Sequence, residues 1–218
     1  ADGDISDWPA DTRFQSIDYP EYGTSPQDGT DFSARTAVAW DADQRALYVV
    51  VEVADQDVFI SETGAWNQRD GCELYLDTQH GSNDSATQFV SHGPGDATSH
   101  GPVQVGWSQH EAGYVCEWRV ELPEKPANRG SFEAIAFDLS VSDFDRDGSY
   151  SWMAWGPGVQ KQTTAARRGD VILTESAAKD LEISYTWDNV PGSRMLLRLH
   201  AADAPGSHAT LRTDAEGM

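Results

Sequence analysis

Residues 149–168 combine large aromatic side chains with a polar loop, a combination that is typical of ligand-binding surfaces. Trp152 and Trp155 are three positions apart, so on a strand, where side chains alternate, they point to opposite faces. One indole is therefore expected in the core and the other in solvent. A Gly-Pro-Gly turn and a polar segment with Gln160 and Lys161 follow. We predict that the exposed indole and these polar side chains hold a flat, polar ligand.

The strand-like residues 72–77 place acidic and aromatic side chains on one face. Alternation directs Glu73, Tyr75 and Asp77 away from the apolar side of this strand, and Trp66 precedes it in a loop. A carboxylate near an indole suits a sugar, because the ring packs against C–H groups and the carboxylate accepts hydrogen bonds from hydroxyls. The alternative is that Trp66 folds back as a lid over the edge of the sheets.

The acidic segment 143–148 has the D-x-D-x-D-G spacing that opens calcium-binding loops. Asp143, Asp145 and Asp147 are therefore the predicted metal ligands. Ala154 stands where an EF-hand has its bidentate glutamate, so the expectation is a shorter calcium turn, and the alternative is an acidic hairpin turn. The segment VADQDVF supplies a second candidate pair, Asp55 and Asp57.

No catalytic residue is assigned. Glu117 and Glu121 alternate onto one face that we expect to be exposed, and nothing fixes a partner for Glu73 at the separation that glycoside hydrolysis needs. The sequence contains no nucleophile elbow, P-loop or Cys-x-x-Cys motif. Four histidines fall in predicted loops without metal-binding spacing and are expected to be solvated: His80, His92, His100 and His110.

Strand signals dominate the chain, and no segment has the periodicity of an amphipathic helix. Segments rich in β-branched and aromatic residues end at turn residues, which predicts an all-β fold: a two-layer antiparallel β-sandwich of the jelly-roll type. The predicted strands are ARTAVAWD, ALYVVVEVAD, DGCELYLDT, residues 88–91, PVQVGWSQ, YVCEWRVELP, EAIAFDLSVSD, SYSWMAW and GDVILTES.

The chain changes character after residue 175, and we predict a sandwich over residues 1–176 and a short accessory β segment over residues 177–218. The closing TDAEGM is similar to a turn of carboxypeptidase-regulatory-like β-domains, which implies an incomplete second domain. The alternative is that these residues extend the sandwich. The opening ADGDISDWP lacks a starting Met, so the sequence is expected to be part of a larger multidomain chain.

The 218 residues carry a formal charge of −21 and a pI near 4.3, which excludes nucleic acid and anionic membrane surfaces as partners. Neutral or cationic ligands and metal ions remain. No run of about 18 apolar residues is present, so no membrane insertion is expected. Cys72 and Cys116 lie on apolar strand faces and are expected in the core, either as a disulfide or as two free thiols.

Six segments in order resemble the family 9 carbohydrate-binding modules: DGDISDWP, AVAWDADQRALYVVVEVAD, GAWNQRDGCELYLD, YVCEWRVELP, IAFDLSVSDFDRDGSYSWMAW and GDVIL. The resemblance covers residues 1–175 and implies a β-sandwich, structural metal ions such as calcium, and a tryptophan-lined slot for terminal sugars. It implies that Trp66 is a stacking residue and that Glu73 is the sugar-binding glutamate. The family's second tryptophan is absent after Trp155, so Trp155 forms the second wall or the slot is open.

The prediction is a non-catalytic, extracytoplasmic module that binds a glycan and anchors or targets a larger protein. Trp66 and Trp155 would stack on the sugar, and Glu73, Gln160 and Lys161 would bind its hydroxyls. The main alternative is a sensor or interaction domain of a membrane-attached receptor or enzyme, without a sugar slot. A third is a haem-binding domain, for which Met153 is the one methionine within the predicted sandwich.

Overall fold

The computed structural model describes residues 1–10, 12–26, 28–29, 31–61, 64–78, 86–94, 103–123, 133–157, 160–164, 167–173 and 209–211. Within these ranges, no helix has the length and apolar character that a membrane crossing requires. The elements of the described chain are η1 (Ile5–Asp7), β1 (Gln15–Ile17), β2 (Tyr19–Gly23), β3 (Phe32–Asp41), β4 (Ala46–Asp55), β5 (Gly71–Asp77), β6 (Thr87–Ser91), β7 (Val103–His110), β8 (Gly113–Glu121), β9 (Glu133–Phe144), β10 (Tyr150–Ala154), β11 (Gly169–Leu173) and β12 (Ala209–Leu211).

The strands form two antiparallel sheets. Sheet A has the order β1-β3-β4-β8-β7. Sheet B is built around the long strand β9, which pairs with β5 along one edge and with β10 and β11 along the other. The outer strands of sheet B are β6 beside β5, β2 beside β10 and β12 beside β11. The predicted all-β antiparallel sandwich is confirmed.

Alternating apolar residues of both sheets form the core. Leu74 and Leu76 of β5 point inward, where they join Val49 and Val51 of β4 and Trp118 of β8 in one buried cluster. Because successive strand residues face opposite sides, the intervening residues of β5 point to the outer face of sheet B. The alternation that predicts these strands therefore also decides which side chains are available outside the core.

The two cysteines lie in this core, as predicted. Cys72 and Cys116 are both fully buried and are free thiols. Burial raises the pKa of the Cys116 thiol well above its ordinary value, which disfavours the reactive thiolate. The structure therefore corresponds to the second of the two alternatives, a pair of buried free thiols.

The N-terminal segment covers the outer face of sheet A and is held there by one glutamate. Glu117 accepts hydrogen bonds from the backbone N–H of Asp2 at 2.8 Å and of Gly3 at 3.3 Å, and from Trp8 Nε1 at 3.0 Å. Gly106 lies beneath this segment, where a Cβ atom would collide with the backbone of residues 2 and 3. The expectation that Glu117 is exposed is wrong, because the chain's own backbone covers it.

Of the predicted accessory segment, the structure describes residues 209–211. This strand, β12, pairs with β11 at the edge of sheet B. Residues 177–208 and 212–218 lie outside the described residues. The division at residue 176 stays a prediction.

Candidate functional site

Four aromatic side chains meet on the outer face of sheet B and are called the aromatic cluster: Tyr22, Trp66, Tyr150 and Trp152. Tyr150 and Trp152 are two residues apart on β10 and share a face, and Tyr22 of β2 lies opposite Trp152 in the strand register. The ring centroid of Trp66 lies 5.6 Å from Tyr22, 5.5 Å from Tyr150 and 5.8 Å from Trp152. The cluster therefore joins two strands and the loop between β4 and β5.

Trp66 combines the two orientations that the sequence left open. It folds over β10, as the lid interpretation expects, with its ring edge-on to Tyr150. Half of its surface nevertheless faces solvent, as does half of the neighbouring Tyr22. Two adjacent, exposed aromatic rings are a surface to which an apolar ring face can bind.

Glu73 lies on the same outer face, two strands away from Trp152. Its Oε2 accepts hydrogen bonds from Gln88 Nε2 at 2.8 Å and from the Tyr75 hydroxyl. Burial raises the pKa of Tyr150, and the charge of Glu73 adds to this increase. In the strand register, Glu73 of β5 and Ala154 of β10 lie on either side of the same β9 residue, Ser140. The structure thus brings Trp66 and Glu73 to one surface, with the carboxylate held in place by two neighbours.

Trp155 does not belong to this surface, and the expectation that it forms a second wall is corrected. It points from β10 into the core, where it is 4% exposed and packs edge-on against Phe137 at 5.5 Å. Its Nε1 donates a hydrogen bond to Gln15 Oε1 at 3.0 Å. The alternation of Trp152 and Trp155 holds as predicted, but Trp152 is the outward residue.

Lys161 is also corrected, because its ammonium group is buried rather than available to a ligand. Its Nζ lies 3.2 Å from Asp138 Oδ2 and 3.6 Å from Glu21 Oε1, and donates to the Gly156 carbonyl at 2.5 Å. Burial raises the pKa of Asp138 to about 7, although the charge of Lys161 opposes that shift. Lys161 therefore fixes its loop to sheet B, while Gln160 beside it is exposed.

Three buried aspartates converge at one end of the sandwich: Asp55, Asp70 and Asp143. Asp55 ends β4, Asp70 directly precedes β5, and Asp143 lies near the end of β9. Each offers a carboxylate oxygen within 4.8 Å of the others. The strand ends of both sheets thus assemble an all-oxygen set, which is the ligand type of hard divalent cations.

The chemistry of this trio fits a bound cation. Among the described residues, three carboxylate oxygens of the trio have no hydrogen-bond partner: Asp55 Oδ2, Asp143 Oδ1 and Asp143 Oδ2. Both side chains are nevertheless almost fully buried. Burial raises the pKa of Asp143 to about 8 and that of Asp70 to about 9, and neighbouring carboxylates add to both shifts. Like charges buried together are costly without a counter-charge. A divalent cation such as calcium would supply it.

The other two predicted metal ligands lie in the turn between β9 and β10. Asp145 Oδ2 accepts a hydrogen bond from the Ser149 hydroxyl at 2.7 Å, and Asp147 Oδ1 accepts one from the Ser149 backbone N–H at 2.8 Å. The Gly148 N–H donates to the Asp145 carbonyl at 2.9 Å, and Gly148 has a positive φ of 89°. The segment is thus a hairpin turn, and Asp143 joins Asp55 and Asp70 instead of Asp147.

Comparison with known proteins identifies the family. Residues 2–176 match the family model described as carbohydrate family 9 binding domain-like. The chain belongs to this family. No curated protein matches the chain.

Solved structures with the same fold come from a family 9 carbohydrate-binding module of Caldicellulosiruptor kristjanssonii. The family 9 domain described here superimposes on its cellotriose complex with a TM-score of 0.64 and 19% identity, covering 85% of this chain and 94% of that chain. For the glucose complex the TM-score is 0.61 and the identity 19%, covering 78% and 87% of the two chains. The predicted resemblance is therefore confirmed.

Sequence reasoning missed three residues of the aromatic cluster and the aspartate trio of this family 9 domain: Tyr22, Trp152 and Asp70. Tyr22 lies on β2, a strand with a proline and no apolar alternation, so the sequence gives no strand signal there. Trp152 was recognised only as one of two tryptophans on opposite faces, and the sugar-binding role was given to Trp155. Asp70 stands in the Asp-Gly pair before β5, and this position at the start of a strand is a signal that the side chain lies at a sheet end.

The remaining candidates have structural positions in the family 9 domain. His92 is buried, with Nδ1 2.9 Å from the Asp70 carbonyl oxygen, so its predicted solvation is wrong. His110 is exposed as expected, whereas His80 and His100 lie outside the described residues. Met153, the residue on which a haem site would depend, packs in the core between the sheets.

Proposed function

We propose that this family 9 domain is a non-catalytic module that binds the sugar rings of a glycan on the aromatic cluster. Its role would be to anchor or target a larger extracytoplasmic protein. The observation that carries the proposal is the pair of half-exposed rings, Trp66 and Tyr22, 5.6 Å apart and on the same face as Glu73. The glucose and cellotriose bound by the solved relatives support a glucose-containing glycan as ligand.

The free energy of binding favours two aromatic rings over one as the surface that contacts the sugar. A sugar that buries ~100 Å² of apolar surface on one ring gains about 2.5 kcal/mol at ~25 cal/mol per Å². Association costs several kcal/mol in lost freedom of motion, so a single ring gives little net affinity. Tyr22 supplies the second contact for which Trp155 was predicted. Trp66 and Tyr22 are tilted by 49°, so together they form an angled surface rather than a parallel slot.

Glu73 would provide the polar recognition. Among the described residues, the hydrogen bonds from Tyr75 and Gln88 both reach Oε2. We assign Oε1 to a sugar hydroxyl, because a charged acceptor makes stronger hydrogen bonds than a neutral one. Gln160, which is exposed, can add a hydroxyl contact, whereas Lys161 acts only through the position of its loop.

We also propose that Asp55, Asp70 and Asp143 hold calcium. The cation would neutralise the buried carboxylates and join the end of β4 in sheet A to β5 and β9 in sheet B. Its role would be structural, because the trio is buried and none of its residues belongs to the aromatic cluster.

One observation favours the second candidate function, a sensor or interaction domain. Two of the five residues predicted to bind the sugar, Trp155 and Lys161, are in buried structural positions. A surface without these residues could also accept a protein partner.

A glycan array with added calcium separates the two functions. Three proteins are compared: the wild type, Trp66→Ala, and Tyr48→Ala as a matched aromatic truncation on sheet A. We expect glycan binding that is lost in Trp66→Ala and retained in Tyr48→Ala. Titration calorimetry of the hits gives their affinities. The absence of binding to every glycan would contradict the carbohydrate function and favour the interaction domain.

A further inference from the structure

The exposed aromatic residues of this protein are not scattered. Among the described residues, four large apolar side chains are exposed: Tyr19 by 38%, Tyr22 by 55%, Phe59 by 40% and Trp66 by 51%. The strand register and the ring contacts link all four on or against the outer face of sheet B, and we call this surface the aromatic strip. Single exposed apolar residues are ordinary, but a continuous exposed patch marks an interaction surface.

The strand register places Tyr19 beyond Tyr22 on this strip. Tyr22 lies opposite Trp152 and Tyr19 lies opposite Ala154, with a bulge between the two pairs. Trp152 and Ala154 are two residues apart on β10, so they share the outer face and lie about 7 Å apart along the strand. Tyr19 therefore extends the aromatic surface in the direction away from Trp66.

Phe59 extends the strip at the other end. Trp66 contacts Tyr150, and Tyr150 lies opposite Phe144 in the register of β10 and β9. Phe59 packs edge-on against Phe144, with ring centroids 5.4 Å apart. The order along the surface is thus Tyr19, Tyr22, Trp66 and Phe59, and the strip crosses β2, β10 and β9.

Building on the proposed function, we infer that the ligand is an extended, neutral glycan chain of at least three sugar rings that lies along this strip. Tyr19 and Phe59 determine the chain length that is recognised. One sugar ring covers at most two of the four rings, so only a chain contacts all of them.

Charge determines the class of glycan. The protein carries a formal charge of −21, and Glu73 lies on the same face as the strip. Polysaccharides that carry uronic acids or sulfates are repelled by this charge. The aromatic rings pack against the C–H faces of a sugar. A neutral sugar can make these contacts without the cost of removing water from a charged group.

The test measures affinity against chain length by titration calorimetry. The probes are cello-, xylo- and manno-oligosaccharides of one to six rings, with oligogalacturonate as the anionic comparison. We expect the affinity for at least one neutral series to rise about tenfold or more between one ring and six, and to level off once the strip is covered. We expect oligogalacturonate to bind at least about tenfold more weakly than the neutral hexamer.

Two variants assign the gain to the ends of the strip. Tyr19→Ala and Phe59→Ala should each lower the affinity for the hexamer about fivefold and leave that for the monosaccharide unchanged. Tyr48→Ala on sheet A is the matched control and should change neither. Because Tyr19 and Phe59 are exposed, their truncation should leave the thermal unfolding temperature nearly unchanged, which checks that the variants fold.

The outcomes separate this inference from the proposed function. Equal affinity for one and six rings, or unchanged hexamer binding in both variants, would overturn the extended strip while leaving a sugar site at Trp66. Binding on the glycan array without binding to any of the three neutral series would also overturn it. Loss of all glycan binding, including the array, would instead contradict the proposed function.

Discussion

The two outer faces of the sandwich differ in how far the chain covers them, although both carry aromatic residues. On sheet A, the N-terminal segment covers a small apolar cluster that includes Val50 and Val115, and Trp8 packs against it. Glu117 fixes this cover by accepting three hydrogen bonds. On sheet B, Trp66 and Tyr22 remain half-exposed. An aromatic residue is thus structural where the chain covers it and available for binding where the chain leaves it open.

The largest expected effect is on the covered face. Glu117→Ala leaves three donors of the N-terminal segment without their acceptor, and a buried unsatisfied group costs about 1–3 kcal/mol. We expect a loss of about 3 kcal/mol in the free energy of unfolding, measured in urea, and no change in glycan affinity. Glu121→Ala is the matched control, because this exposed residue of β8 pairs only with Arg119 among the described residues. Equal effects of the two substitutions would remove the contrast between the faces.

The next effect concerns the cation that would join the two sheets. Calcium at about 100 times its dissociation constant should stabilise the wild type by about 2.7 kcal/mol, since only the folded state assembles the trio. Asp143→Ala should lose this response, and Asp147→Ala, on the exposed turn, should keep it. Thermal unfolding with calcium and with a chelator measures both. A calcium response that persists in Asp143→Ala would show that the ion binds elsewhere.

On the open face the effect should appear in binding and not in stability. Trp66→Ala should weaken glycan binding at least about tenfold, or about 1.4 kcal/mol, because it removes the largest ring of the exposed pair. Its unfolding temperature should change little, since the ring is half-exposed. Calorimetry and thermal unfolding of the same samples test the two halves of this statement. A large loss of stability would mean that Trp66 is a structural cover like Trp8.

The last effect is gradual and concerns the pH dependence of stability. The pKa of Asp138 is raised to about 7 in the folded protein, so its contribution to stability is complete at acidic pH and is lost as the pH rises towards 7. Asp138→Asn should make the fall in stability between pH 4 and pH 7 shallower, by up to about 1 kcal/mol per pH unit. Urea unfolding of both proteins across this range measures the difference. Identical slopes would contradict the raised pKa.

Local patterns predicted the long strands well, because alternation in segments such as ALYVVVEVAD is visible without tertiary information. The same rule placed Trp152 and Trp155 on opposite faces of the strand, but it could not decide which of the two faces the core. That choice depends on the core packing of Trp155 against Phe137. Tyr22 was missed because β2 is held by pairing with β10 and has no pattern of its own.

Long-range assembly explains why the sequence did not predict the trio of buried aspartates. The D-x-D-x-D-G spacing is a local signal, and of its three aspartates the structure places Asp143 in the buried trio. Its partners Asp55 and Asp70 come from the ends of two other strands, so only the three-dimensional arrangement brings them together. Trp66 and Glu73 were placed on one surface from the sequence because they belong to one loop and the strand that follows it.

The positions of Asp55 and Asp70 have a further consequence for the loop that carries Trp66. These two residues stand at the two ends of that loop: Asp55 is the last residue of β4 in sheet A, and Asp70 directly precedes β5 in sheet B. A cation bound to both residues would act as a reversible crosslink between the two ends of the loop. By the chain-entropy relation used for disulfides, closing a loop of ~15 residues is equivalent to about 3 kcal/mol. The ion would then restrict where Trp66 can move without ever touching the ligand.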